Sequence, residues 1–123
     1  MTSDRRLIKK DALVADPNPT PGMTRAHAIL APGLASGTVS VGPGVSSGWH
    51  HHGDHETSIH VLKGRLRLEF TDGAVDASEG DFVHVPAGVV HRESNPGEIA
   101  NLAVFSRAGT GPVTVNVEDP PKR

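Results

Sequence analysis

An all-β sandwich or barrel, built as a single domain, is the fold that the 123-residue sequence predicts. Three observations carry that prediction. Short apolar runs recur with Gly and Pro between them, which is the punctuation of strands joined by tight turns. Several runs alternate with a period of two, most clearly Arg65-Leu66-Arg67-Leu68-Glu69-Phe70, where charged groups face one way and apolar groups the other. Aromatic residues are few, with three Phe, one Trp and no Tyr, so Val, Leu, Ile and Ala must fill the core.

The length suits one domain with a single core and leaves no room for a second catalytic domain. Cysteine is absent, which removes disulfides, a thiolate nucleophile and sulfur ligands, so any metal must be held by nitrogen and oxygen. The formal net charge of -2 is nearly balanced and the basic residues are scattered, so nucleic-acid binding has no electrostatic support. Met1 to Lys10 carries Arg5, Arg6, Lys9 and Lys10 with no long apolar run after them. Neither a signal peptide nor a membrane span is expected, and a cytoplasmic location follows.

In chain order, residues 1–22 read as an N-terminal arm and a Pro-rich loop, 23–118 as the domain and 119–123 as a flexible tail. Leu7-Ile8 and Leu13-Val14 suit a weak edge strand or an arm laid across a neighbour. Asp16-Pro17-Asn18-Pro19-Thr20-Pro21-Gly22 is a loop, because its prolines fix φ and remove backbone donors. Thr24 to Leu30 and Ala35 to Val41 are strands parted by Ala31-Pro32-Gly33. Ser58 to Leu62, Arg65 to Phe70, Ala74 to Ala77 and Phe82 to Val85 follow, with turns at Thr71-Asp72-Gly73 and Ser78-Glu79-Gly80-Asp81. Ile99 to Phe105 is apolar enough for the centre of a sheet, and Val113, Val115 and Val117 alternate through a last strand.

Candidate chemistry gathers in Gly48-Trp49-His50-His51-His52-Gly53-Asp54-His55-Glu56. On an extended strand His50 and His52 share one face and His51 the other. After the Gly53-Asp54 turn, Glu56 could return a carboxylate to the same spot, and His91 could add a third imidazole. Three other residues could stand behind such ligands. His60 shares a face with Glu56 if the strand is regular, but a one-residue shift near Thr57 would turn it outward. His84 borders the rigid corner Pro86-Ala87-Gly88. Glu93 shares the face of His91 and could orient a ligand or relay a proton. Arg25 and His27 lie together on the first long strand, where either is an ordinary strand residue or reaches a cavity mouth. Trp49 falls on the outer face with His51, unless a bulge at Gly48 turns it inward. A large ring there suggests cover by a second subunit or the N-terminal arm, so a homodimer is expected.

The flanks of these residues resemble the cupin superfamily, in the manner of a small single-domain monocupin. Gly44 stands six residues before His50, Glu56 four after His52, and Gly64 closes the following strand. The second block reads Gly80, five residues, Pro86-Ala87-Gly88, two residues, His91, three residues, Asn95, and fits the second cupin motif at each fixed position. The first block has one irregularity: Glu56 to Gly64 is a residue longer than the commonest form, and counting back from Gly64 puts Thr57 where Glu often sits. Thr57 is a poor ligand, so Glu56 is preferred. The resemblance spans roughly the middle half of the chain.

The resemblance implies a jelly-roll barrel with one divalent transition metal ion per chain, Fe, Mn, Ni, Zn, Co or Cu, held by His50, His52, Glu56 and His91. Cupins also imply a wide choice of reactions, and no catalytic acid or base can be carried over from them. A small-molecule substrate is expected, with the ion as a Lewis acid or as a meeting point for substrate and dioxygen. An apolar pocket lined by Val, Leu and Phe would suit an aromatic or acyl substrate and tilts the reading slightly toward a dioxygenase. The alternatives are an isomerase, lyase or cyclase, or a non-catalytic binding or sensing module. Phosphate recognition would fall to Arg25, Arg92 or Arg107, and alternation puts Arg92 opposite His91.

Overall fold

Alternation along the strands decides which side of each sheet is wet. In β5 (Glu56–Lys63) Thr57, Ile59 and Val61 are buried while Glu56, Ser58 and Leu62 are exposed. In β10 (Leu102–Gly109) Ala103, Phe105 and Arg107 are buried in the same rhythm. The computed structural model describes residues 7–118, and the remaining strands among them are β1 (Val14–Ala15), β2 (Thr24–Ala31), β3 (Gly33–Ser40), β4 (His50–His51), β6 (Leu66–Phe70), β7 (Gly73–Ala77), β8 (Phe82–Val85), β9 (Arg92–Ser94) and β11 (Val115–Asn116). The expected tail, 119–123, and the first six residues of the expected arm lie outside the described residues.

The strands form a six-stranded sheet in the order β1-β2-β3-β10-β5-β8, a three-stranded sheet β7-β6-β9, and the pair β4-β11, with every named pairing antiparallel. Two antiparallel sheets facing each other across one core make the predicted all-β jelly-roll sandwich. No helix among the described residues is long and apolar enough to cross a membrane.

The core joins Val39, Ile59, Val61, Val85, Ala103 and Phe105 from the large sheet to Leu66, Leu68 and Ala77 from the small one. Burial of each large aliphatic or Phe side chain stabilises the fold by roughly 1.5–3 kcal/mol. Cross-strand register divides the interior in two. Ala103 lies between Val39 and Val61, and Phe105 between Gly37 and Ile59, whereas Arg107 lies between Ala35 and Thr57. Beyond Phe105 the inner face therefore turns polar. Gly37 faces this interior where the β2–β3 register shifts between His27 and Ile29, and a Cβ there would stand 1.9 Å from the Ala26 carbonyl oxygen. No side chain fits.

One expectation needs amendment. The strand predicted from Ile99 begins instead at Leu102 and runs on to Gly109, leaving Ile99 exposed, because β10 takes its length from pairing with β3 and β5. The Pro-rich loop is held against the sheets by hydrogen bonds. Asn18 donates its side-chain amide to the Thr114 carbonyl, the Thr20 hydroxyl to Asn116, and the Gly48 N–H to the Pro21 carbonyl. The Trp49 ring is half-buried, with the Arg92 guanidinium 4.8 Å from its centroid while Arg92 also binds Glu69 through two hydrogen bonds. That also confirms Arg92 as outward-facing.

Candidate metal centre

Two segments far apart in sequence meet through their backbones: the His50 N–H donates to the His91 carbonyl and the His91 N–H to the His50 carbonyl, both at 2.9 Å. This bridge brings the imidazoles to 4.4 Å between ring centroids. His52, two residues on and so on the same face, lies 5.1 Å from the His50 ring and 5.2 Å from that of His91. All three residues are buried, and one ring nitrogen from each falls within 4.8 Å of the others.

The tautomers are set by the backbone. His50 Nδ1 is 2.9 Å from the Gly48 carbonyl, His52 Nδ1 2.8 Å from that of Val113, and His91 Nδ1 2.9 Å from that of Val89. A carbonyl only accepts, so each Nδ1 carries a proton and Nε2 is the ring nitrogen left to face the interior. Nε2 of His50 and of His91 is buried with no hydrogen-bond partner. Burial pushes the His91 pKa down to about 4, helped by the neighbouring His50, and burial followed by the Arg107 charge pushes His52 down as well. Buried imidazoles with converging Nε2 atoms are the donor set that a divalent transition ion takes, so these residues fit the metal that the family resemblance implies.

The carboxylate in this group is Glu93. Its Oε2 lies 3.4 Å from His50 Nε2, and its Oε1 has no hydrogen-bond partner. Ser47 fixes its backbone on both sides, as the Glu93 N–H donates to the Ser47 hydroxyl and the Ser47 N–H to the Glu93 carbonyl. Burial alone would raise its pKa, but the imidazoles of His50 and His91 and the charge of Arg25 outweigh this and keep it a carboxylate.

Glu56, expected as the fourth ligand, does not join the triad. Its side chain is 55% exposed and accepts hydrogen bonds from His84 Nε2 at 2.6 Å and from the Ala87 N–H at 3.0 Å. The inward position is that of Thr57, 1% exposed, so β5 follows the count back from Gly64 rather than forward from His52. His84, itself 66% exposed, is therefore a partner of Glu56 on the outer surface and not a residue behind the ligands. His60 does share the face of Glu56, but that face is the outer one, and its ring stacks on Phe82 at 4.1 Å.

Arg25, His27 and Arg107 complete the polar half of the interior, all of them buried. Arg25 pairs with Asp16 and donates to Thr20. The His27 ring meets the Phe105 ring edge-on at 5.3 Å, and the Arg107 guanidinium lies 4.0 Å from the centre of the same ring. The sequence signal for Arg107 was its phase: it falls two residues after Phe105, in step with core positions. An expectation that strand charges face water hides that signal.

Comparison with known proteins agrees with this architecture. Residues 37–106 match the protein family described as "Cupin domain". An uncharacterized protein of Aquifex aeolicus (strain VF5) is 36% identical over 70 residues, covering 56% of this chain and 58% of that protein, so the chain spans less than two thirds of its relative's length. Among solved structures, a conserved protein with a double-stranded β-helix domain from Klebsiella pneumoniae superposes with a TM-score of 0.74 at 19% identity, over 94% of this chain and 100% of that one. The polyketide cyclase RemF from Streptomyces resistomycificus superposes with a TM-score of 0.73 at 20% identity, over 92% and 85% of the two chains. At these identities the structures speak for the fold alone.

Proposed function

Because the chain belongs to the cupin-domain family, we propose that it is a metal-dependent enzyme acting on a small organic substrate inside the barrel. The observation that carries this reading is the set of three buried imidazoles, each tied through Nδ1 to a backbone carbonyl, with ring nitrogens converging within 4.8 Å. His50, His52 and His91 would hold the ion and Glu93 would supply the carboxylate, in place of Glu56. When bound, a divalent first-row ion supplies Lewis acidity toward a substrate oxygen or, if redox-active, one-electron chemistry with dioxygen.

The residues around it have separable tasks. Backbone carbonyls hold each imidazole in one tautomer and orientation, so that little need reorganise on binding. Glu93, ionised and buried, balances positive charge at the triad and accepts a proton or hydrogen bond at Oε1. The Phe105 ring separates the apolar core from the polar interior and limits water on that side.

The apolar lining that would favour a dioxygenase is not what this interior presents, since Arg25, His27, Thr57 and Arg107 share it with Phe105. Isomerase, lyase or cyclase chemistry on an oxygen-rich substrate is proposed on equal footing with dioxygenation, and the name of the cyclase RemF shows that such an activity occurs on this fold. Elemental analysis of untagged protein purified without a nickel column should give about one transition-metal equivalent per chain. Oxygen-electrode assays of the iron-loaded form with candidate substrates then separate the reactions. Uptake selects dioxygenation, and metal without uptake selects Lewis-acid chemistry. No metal, and none taken up on reconstitution, would leave a binding cupin and sink the enzyme reading.

A further inference from the structure

We propose that Arg107 is the receptor for the charged end of the substrate, and that the substrate class is therefore small organic carboxylates. This rests on reading the His triad as the working site. Arg107 is 3% exposed, and its Nε and Nη1 are buried with no hydrogen-bond partner. Among the described residues no carboxylate forms an ion pair with it, and its guanidinium lies over the face of Phe105. The contrast with Arg25 is direct, because Arg25 already has Asp16. A buried guanidinium with unspent donors, which Glu93 and Asp16 offset only beyond ion-pair distance, is unfavourable unless an anion completes it.

Thr57, the neighbour of Arg107 on β5, is also unspent, with a buried hydroxyl that has no partner; the ring nitrogens of His27 make no hydrogen bond, although Nε2 lies 3.6 Å from Asp16 Oδ2. The neighbour on β3 is Ala35, a small side chain that offers the guanidinium no polar partner. The Arg107 charge is among the causes that lower the pKa of His52 and of His91, so the guanidinium and the triad act on each other within the same polar interior. Burial and the nearby Arg25 push the Arg107 pKa down to about 9, which leaves it charged at neutral pH. One planar fork suits a carboxylate in two-pronged contact, whereas a phosphate dianion would call for a second free cation, and Asp16 has taken Arg25.

The test uses the full chain and a probe panel of acetate, pyruvate and benzoate, with benzamide as the neutral counterpart of benzoate and inorganic phosphate as the competing anion. Binding is followed by calorimetry and by thermal shift in wild type, R107M, R107K and H91A. At least one carboxylate should bind wild type and H91A more tightly than its amide or phosphate does, with about a tenfold loss in R107M and partial recovery in R107K. Without ligand, R107M should melt no lower than wild type, because it removes a buried charge that no carboxylate pairs directly. Carboxylate binding unchanged in R107M, no preference over amide and phosphate in wild type, or a clear loss of stability in R107M would each overturn the proposal. The two readings fail separately. Stoichiometric metal without carboxylate preference removes only Arg107's role, and carboxylate binding without metal removes only the metal centre.

Discussion

His50 and Glu93 face each other inside the barrel with Nε2 and Oε2 3.4 Å apart, both buried, from strands that the His50–His91 backbone bridge holds together. A carboxylate so placed either ligates the ion or balances its charge. Glu93→Gln should therefore weaken metal affinity by about 10- to 100-fold with the far-UV circular dichroism unchanged. Competition against a graded chelator measures this, and wild-type affinity in that variant would remove Glu93 from the centre.

His52→Ala and His91→Ala should each lower metal content by about tenfold or more while the β fold persists, because the ligands are lost and the core beside them is apolar. Elemental analysis with circular dichroism decides. A full equivalent of metal in either variant means that the ligand set is wrong.

Glu56→Gln and His84→Ala should leave metal content and melting temperature within error of wild type. The pair is exposed, and exposed ion pairs contribute little to stability. Loss of metal in Glu56→Gln would show that the outward carboxylate swings in when the ion binds.

Phe105→Ala should cost about 3–5 kcal/mol in urea denaturation, the range for deleting a buried aromatic ring from a packed core. The ring is fully buried and also carries Arg107 and His27 against its face and edge. A cost below that of an ordinary surface substitution would mean that the two halves of the interior do not depend on it.

Asp16 gives a pH dependence. Burial acts to raise its pKa, but the hydrogen bond from Arg25, the Asn18 N–H and the charges of Arg25 and His27 together hold it below its ordinary 3.8. A carboxyl whose folded pKa is depressed stabilises the fold above its unfolded pKa, and that stability drains away as pH falls through the folded value. The difference in unfolding free energy between wild type and Asp16→Asn should thus be constant near neutrality and shrink below about pH 4. A difference that does not change down to the acid limit would show that Asp16 is not the group responsible.

Much of this protein is legible in its sequence because the signals are local. Period-two alternation placed Leu66 and Leu68 inside and Arg67 outside, Gly and Pro marked the turns, and the spacing of His50, His52 and His91 predicted a triad that the backbone bridge assembles. Those patterns are set by strand geometry, which every residue on the strand obeys. What tertiary structure alone decided is phase and proximity. Whether Glu56 or Thr57 points inward depends on where alternation restarts after the Gly53-Asp54 turn, and the pairing of Thr57 with Val85 and Arg107 fixes it. Glu93 reached His50, Arg92 met the Trp49 ring, and Arg107 was drawn inside beside Phe105, through contacts between strands distant in the chain. A sequence states which face a side chain takes only relative to its own strand; the packing of strands decides what stands opposite.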